Sequence, residues 1–167
     1  FKPPFPAQVG AFGRPTTINN TETLASIPPI LRKGAQWFSD LGVQNSGGSK
    51  IFSVSGHVNR PGNYEVPMGI PFAELLDLAG GVLDGRSLKA VIPGGSSVPV
   101  LPAEQIMTCT MDYDGLAKAG SALGAGSVIV MDDSTCMVQV LERISYFYFV
   151  ESCGQCTPCR EGTGWLY

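Results

Sequence analysis

The sequence has little charge of either sign and a single histidine. Charged residues make up 15% of its 167 residues, and the formal net charge is −3 at pH 7. Such a chain offers no basic surface to nucleic acid or anionic lipid, so polyanionic partners are excluded. Hydrophobic residues reach 44%, which rules out a disordered tail and permits a sizeable core.

Long hydrophobic runs are also lacking. The longest candidate, residues 144–150, falls far short of the roughly 18 apolar residues that suggest a membrane helix. No direct membrane insertion is therefore expected. The first residues show neither an initiator methionine nor a signal-peptide pattern, and the last residues stop soon after a predicted helix begins. Both ends are therefore expected to be cut from a longer protein.

The sequence also lacks the even number of cysteines that a disulfide framework needs, since it has five. Three of the five cysteines, Cys153, Cys156 and Cys159, form a tight C-x2-C-x2-C run. Soft thiolates on one loop select an iron–sulfur cluster or zinc. Zinc sites usually bring two pairs of ligands, and the sequence has no second pair. The run therefore favours a [4Fe–4S] cluster over zinc or free thiols.

A cubane cluster needs a fourth ligand, and two other cysteines are available within the chain. Cys136 is expected in the first turn of a helix, about 24 Å from Cys153, which is too far. Cys109 lies in an irregular stretch and is expected to be a small buried residue. The fourth ligand is therefore expected to lie outside the chain.

The middle of the chain predicts a β-grasp module, and thus an α+β fold. A linker rich in Gly, Ser and Asn occupies residues 41–50. Hairpin, helix and further strands then follow in the order of a β-grasp. The predicted elements are a strand over residues 51–58, a return strand over 63–67, a helix over 70–78, and strands over 88–92 and 127–131.

Helices are predicted on both sides of this module. A helix over residues 135–150 should lead into the cysteine loop, with its N-cap within residues 132–134. It is apolar on more than one face, so further protein is expected to enclose it. Near the N-terminus, Pro28 and Pro29 are expected at the start of a helix, because proline interrupts a helix interior.

Catalytic and nucleotide-binding motifs are not found. Residues 93–97 (PGGSS) lack the lysine and following helix of a phosphate-binding loop, and no G-x-G-x-x-G stands beside them, so a turn is predicted. His57 has no partner in view along the sequence and is expected to be structural or exposed. No residue is therefore assigned a catalytic role.

Six segments resemble, in order along the chain, the family of NADH-oxidising flavoprotein subunits of respiratory complex I. The last segment, which contains the three cysteines, is the most specific. The segments are residues 2–6 (KPPFP), 13–17 (GRPTT), 18–23 (INNTET), 52–58 (FSVSGHV), 90–97 (AVIPGGSS) and 151–162 (ESCGQCTPCREG).

The resemblance implies a parent protein of three parts. Residues 1–46 would be the tail of a Rossmann-like flavin domain. Residues 47–131 would be a β-grasp module of the soluble-ligand-binding (SLBB) type. Residues 132–167 would begin a helical domain that binds a [4Fe–4S] cluster, with the three cysteines of the run as ligands.

The resemblance also implies the cofactors FMN and a [4Fe–4S] cluster, with NAD as substrate. In the family the segment that borders the flavin corresponds to Ile18, Asn19, Asn20 and Thr23, and here Thr21 stands where valine is familiar. NADH gives up two electrons as a hydride, whereas a cluster accepts one at a time, so a flavin must stand between them. The nucleotide site would lie mostly outside this chain.

The implied partners are NADH and the other hydrophilic-arm subunits of complex I, notably the small [2Fe–2S] subunit. The implied location is peripheral, on the cytoplasmic face of the bacterial inner membrane or the matrix side in mitochondria. The implied activity is that of an NADH:quinone oxidoreductase subunit. Because the phosphate-cradling glycine loops are absent, the chain by itself is expected to be inactive.

Two alternatives remain open. The first is a diaphorase subunit of an NAD-linked hydrogenase or formate dehydrogenase, which shares the same core. The second is that the β-grasp module binds a small molecule, but residues 51–131 gather no charged or catalytic groups in the sequence. A packing and partner surface is therefore expected.

Overall fold

The structure is a computed structural model that describes residues 3–167; Phe1 and Lys2, the second of which begins the first resembling segment, lie outside the described residues. After a 3-10 turn at Ala11–Gly13, two α-helices follow, α1 (Thr21–Lys33) and α2 (Ala35–Asp40). The Asn20 side chain caps α1 by accepting from the Glu22 N–H at 2.8 Å, which satisfies one of its unpaired donors.

The predicted placement of Pro28 and Pro29 at a helix start is wrong, because both lie inside α1. A proline costs a helix the hydrogen bond that its missing N–H would donate to the carbonyl four residues earlier. Those carbonyls belong to Leu24 and Ala25, both exposed residues that water can reach. The helix therefore tolerates the two prolines on an open surface.

The predicted hairpin is present. Strand β1 (Ser49–Gly56) pairs antiparallel with β2 (Gly62–Pro67). Along β1 the buried side chains of Phe52 and Val54 alternate with the exposed Ser53 and Ser55, as expected for a strand with one face on the core.

The sheet has the topology of a β-grasp and confirms the predicted α+β fold. The remaining described strands are β3 (Leu88–Ile92), β4 (Leu101–Pro102) and β5 (Ser127–Asp132), and the order across the sheet is β2-β1-β5-β3-β4. The first and last strands, β1 and β5, lie side by side and parallel at its centre, whereas the other pairs are antiparallel.

One face of the sheet holds the main hydrophobic core. Helix α3 (Phe72–Leu78) packs there with Phe72 and Leu75 fully buried, and the short helices α4 (Ala103–Ile106) and α5 (Tyr113–Lys118) each bury one side chain beside it. Helix α3 starts two residues later than predicted, since Pro71 forms its N-cap. The face is covered by the module's own helices.

The opposite face of the sheet, here called the outer face, carries helix α6 (Met137–Glu151). The helix packs Met137, Val140 and Ile144 against a smaller buried cluster on β3 and β5. That cluster consists of Ala90, Ile92 and Met131. Helix α7 (Thr157–Leu166) follows after the cysteine loop.

Helix α6 begins later than the sequence predicts, since the predicted N-cap lies within residues 132–134. Its N-cap is Cys136, because Asp132 is used within the preceding turn. The Asp132 carboxylate accepts hydrogen bonds from the Ser134 N–H at 3.1 Å and the Ser134 hydroxyl at 2.7 Å.

Apolar side chains cover more than one face of α6, as predicted. Leu141, Phe147 and Phe149 are exposed, and so is Trp165 on α7. Among residues 3–167, no helix combines the length and apolarity that crossing a membrane demands.

We expect Leu75→Ala to lower the free energy of unfolding by about 2–5 kcal/mol, since it leaves a cavity in a fully buried site. Leu78→Ala on the same helix is the matched control. Its side chain is 44% exposed, and a loss of no more than about 0.5 kcal/mol is expected. Urea denaturation followed by circular dichroism measures both. Equal losses would contradict the assignment of the core face.

Candidate functional site

The three clustered cysteines lie where α6 passes into α7. Cys153 follows the end of α6, Cys156 is the N-cap residue of α7, and Cys159 lies in the first turn of α7. Gly154 has a φ of +65°, which lets the chain reverse between the helices. The cysteine loop, residues 152–159, therefore presents its thiols beside the positive end of a helix, which favours anionic sulfur.

Hydrogen bonds hold the cysteine loop to α7. The Arg160 guanidinium donates to the Gly154 carbonyl at 3.1 Å and to the Thr157 hydroxyl at 3.2 Å. The Ser152 oxygen lies 2.8 Å from the Cys159 sulfur and accepts from the Gly154 N–H at 3.2 Å. Cys159 is half-buried, whereas Cys153 and Cys156 are exposed.

The structure places the three cysteines on one loop but does not gather their sulfurs. Within the described range, 3–167, no three His, Cys, Asp or Glu side chains are grouped closely enough to hold a metal ion. The donor set nevertheless fits an iron–sulfur cluster, since it consists of thiols alone on a short loop with a glycine at its turn. These three residues stay the candidate ligands.

The other two cysteines lie apart from this loop. Cys109 is buried in the main core and donates to the Gln105 carbonyl at 3.2 Å. Burial, and then the nearby Asp112, raise the pKa of its thiol. A buried neutral thiol within the core agrees with the small structural residue expected from the sequence.

Cys136 is exposed at the start of α6. Hydrogen bonds from the backbone N–H groups of Gln139 and Val138 lower the pKa of its thiol. The 15 residues of α6 separate it from the cysteine loop, a length of about 22 Å for a continuous helix. Cys136 therefore lies at the wrong end of the helix to join the other three.

The residues that resemble the flavin-bordering segment are only partly brought together. Asn20 and Thr23 line one cavity of about 490 Å³, between α1 and the start of the sheet. Ile18 lines a separate cavity of about 430 Å³, and Asn19 is exposed. The carboxamide oxygen of Asn20 already accepts the hydrogen bond from the Glu22 N–H that caps α1.

The structure gives His57 a partner that the sequence pattern did not reveal. Its Nδ1 lies 2.9 Å from an oxygen of Asp132, a carboxylate that is almost fully buried, and Arg86 lies 3.3 Å from the other oxygen. Parallel pairing of β1 with β5 brings His57 beside a residue 75 positions away, which no local pattern predicts. The sequence did offer one signal of such a contact, since Asp132 stands at the end of a buried strand, where a carboxylate needs a partner.

The environment of Asp132 favours its charged form. The hydrogen bond from the Ser134 hydroxyl is the largest influence that lowers the pKa of this carboxyl, and His57, Thr135 and Arg86 act in the same direction against the effect of burial. Charged groups therefore do gather at this end of the sheet, which the sequence did not suggest. Of these groups, His57 lines a cavity of about 490 Å³ between the outer face and α6.

Two family patterns match parts of the chain. The SLBB domain matches residues 51–101. The NADH-ubiquinone oxidoreductase-F iron-sulfur binding region matches residues 139–167, which contain the cysteine loop. The first match spans most of the hairpin together with α3 and β3, and the second spans most of α6 and all of α7.

Curated relatives match over almost the whole chain. The F subunit of NADH-quinone oxidoreductase of Rickettsia bellii (strain OSU 85-389) is 58% identical over 168 residues, covering 99% of this chain and 40% of that protein. The F 1 subunit of the same enzyme of Rhizobium meliloti (strain 1021) is 56% identical over 167 residues, covering 99% and 38%. The chain belongs to the family of NADH-quinone oxidoreductase F subunits. It spans about two fifths of the length of these relatives.

A solved structure shares the fold of this F-subunit family member. A chain in the crystal structure of the NAD+-reducing [NiFe]-hydrogenase in the air-oxidized state aligns with a TM-score of 0.80 at 35% identity. The alignment covers 98% of this chain and 27% of the hydrogenase chain. Helices and sheet together therefore recur in a chain of that hydrogenase.

We expect Cys156→Ser, made in the whole protein, to abolish the electron paramagnetic resonance signal of a reduced [4Fe–4S] centre, because it removes one of the three candidate thiolate ligands. Cys136→Ser is the matched control, since it removes a thiol at the far end of α6, and it should leave the signal and the iron content unchanged. A signal of unchanged line shape in Cys156→Ser would contradict the ligand assignment. Zinc without inorganic sulfide in the unsubstituted protein would contradict it as well.

Proposed function

We propose that the protein containing this chain is the NADH-oxidising flavoprotein subunit of a respiratory NADH:quinone oxidoreductase. The observation that carries the proposal is the cysteine loop, which lies inside the matched NADH-ubiquinone oxidoreductase-F iron-sulfur binding region. Relatives of 56–58% identity over nearly the whole chain carry the name of that enzyme's F subunit. In this function electrons pass from NADH through FMN to a [4Fe–4S] cluster and on towards quinone.

The cluster would be held by Cys153, Cys156 and Cys159. When bound, it supplies a one-electron acceptor whose potential depends on burial and on hydrogen bonds to its sulfurs. The chain contributes a loop closed by the Arg160 guanidinium and the positive end of α7. We place the fourth ligand outside this chain, since Cys109 is buried in the main core of the sheet and Cys136 lies at the far end of α6.

The flavin would be bordered by Ile18, Asn19, Asn20 and Thr23. FMN, when bound, accepts the two electrons of a hydride and passes them on singly. Carboxamides suit the polar edge of a flavin, because they offer two donors and an acceptor without adding charge. The cavity that Asn20 and Thr23 share supports this assignment, with the rest of the flavin site and the NAD site supplied from outside the chain.

A division into three parts accompanies this function. We assign residues 1–46 to the tail of the flavin-binding domain, 47–131 to the SLBB module and 132–167 to the start of the [4Fe–4S] domain. The strands of the module, from Ser49 to Asp132, and the SLBB match at residues 51–101 support the middle assignment.

Partner subunits and a peripheral position follow from the same function. The relatives are named as subunits of NADH-quinone oxidoreductase, which supports assembly with other hydrophilic-arm subunits, and we propose the small [2Fe–2S] subunit as the neighbour. The protein would then work on the cytoplasmic face of a bacterial inner membrane or on the mitochondrial matrix side. The exposed apolar residues of α6 and α7 support a need for enclosing protein.

The alternative is a diaphorase subunit of an NAD-linked hydrogenase or formate dehydrogenase. The structural match to a chain of the NAD+-reducing [NiFe]-hydrogenase favours it. Identity is 35% in that match, against 56–58% for the relatives named as F subunits of NADH-quinone oxidoreductase. We therefore place the respiratory enzyme first. The respiratory and diaphorase functions are separated by measuring whether electrons from NADH pass to quinone or to a hydrogenase partner.

We expect Asn20→Leu in the whole protein to weaken flavin retention while the iron content stays unchanged, because the carboxamide that faces the flavin is lost. Asn20→Ser is the matched variant, since serine also caps a helix but lacks the amide donors. Loss of flavin in both variants therefore shows that the amide contacts the flavin, because Asn20→Ser still caps α1. Flavin released on denaturation and NADH–ferricyanide turnover are the measurements. Full flavin content and unchanged turnover in both variants would contradict the assignment.

A further inference from the structure

Ser152 links the end of α6 to the first turn of α7. Its side-chain oxygen lies 2.8 Å from the sulfur of Cys159, across seven positions of the chain. Of the three clustered cysteines, Cys159 is the half-buried one. A partly buried polar contact to sulfur is stronger than one open to water, because less solvent screens it.

The direction of this hydrogen bond follows from the other contact of the same oxygen. The Gly154 N–H donates to the Ser152 oxygen at 3.2 Å, so one of its lone pairs is engaged as an acceptor. A serine hydroxyl has one proton and two lone pairs, and the proton is therefore available to Cys159. A thiolate has no proton of its own, so once Cys159 is ionised Ser152 is necessarily the donor.

Both partners of this contact are held in place by the backbone. Ser152 is the C-cap residue of α6, with the extended dihedrals φ −60° and ψ 130°. Cys159 lies in the first turn of α7, and its carbonyl accepts from the Thr163 hydroxyl at 2.6 Å. Arg160 donates to the Gly154 carbonyl at 3.1 Å, which ties the loop between the two helices to α7. The donor and the sulfur are thus positioned by separate elements.

We infer that Ser152 is a positioning residue that acts through Cys159 and raises the reduction potential of the cluster bound there. Reduction adds one negative charge, which spreads over the cluster and its thiolates. A hydrogen bond to a ligand sulfur stabilises the reduced form more than the oxidised form, so the potential rises. The inference rests on the proposed function, since it takes Cys159 as a cluster ligand.

The test is a redox titration of the whole protein, followed by electron paramagnetic resonance of the reduced cluster. In Ser152→Ala the potential should fall, so that the ratio of reduced to oxidised cluster at the original midpoint drops roughly three- to tenfold. Ser152→Thr keeps a hydroxyl and should restore most of that ratio. Ser145→Ala, which removes a hydroxyl from α6 at a distance from the loop, should change nothing.

An unchanged midpoint in Ser152→Ala with full iron content would overturn the inference. If Ser152→Ala assembles no cluster, a second measurement on the unsubstituted protein tests the inference. Exchange into D₂O should shift the iron–thiolate stretching bands in its resonance Raman spectrum, because the hydrogen bond to Cys159 is then made by deuterium. The absence of any shift would overturn the inference. Failure of the cluster assignment, on which the inference rests, looks different, because the unsubstituted protein would then bind no iron and sulfide at this loop and Cys156→Ser would leave its iron content unchanged.

Discussion

The buried carboxylate of Asp132 fixes the way in which the chain leaves the sheet, and the position of the cysteine loop depends on it. A buried charge is costly unless it is paired and hydrogen-bonded. Asp132 meets this condition through Ser134 and Thr135 in the turn before α6, through His57 at the end of β1, and through Arg86 ahead of β3. Two separate parts of the β-grasp module, at His57 and at Arg86, thereby hold the turn that leads into α6, and the cysteine loop follows the end of that helix.

Helix α6 then runs along the outer face of the sheet, and contacts at both of its ends keep it there. Near its start, Lys89 on β3 donates to the Thr135 carbonyl. Near its end, the Tyr148 hydroxyl lies 2.9 Å from the hydroxyl of Ser96, in the turn after β3. The module therefore provides a packing surface for α6, as the sequence predicts. It connects the segment that resembles the family's flavin-bordering residues with the cysteine loop.

The sequence predicted those features whose signal is local. Alternation around Phe52 identified β1, and the spacing of the cysteines identified the candidate ligands, because each pattern lies within a few residues. The prolines of α1 were misplaced, since the rule against proline in a helix interior assumes that the freed carbonyls lack water. The contact between His57 and Asp132 could not be read from the sequence, because strand pairing alone brings them together. The gathering of charge at that end of the sheet was missed for the same reason.

The central claim is that the cysteine loop carries a [4Fe–4S] cluster that receives electrons from NADH. Mössbauer spectroscopy of the ⁵⁷Fe-enriched whole protein, before and after addition of NADH, tests it most directly. The account predicts a single valence-delocalised cubane of about four irons for this loop, and a change in its spectrum that corresponds to one added electron. This loop's contribution is isolated by subtracting the spectrum of the Cys156→Ser variant. A difference spectrum with no cubane iron, or a cubane that NADH leaves unchanged, would contradict the account.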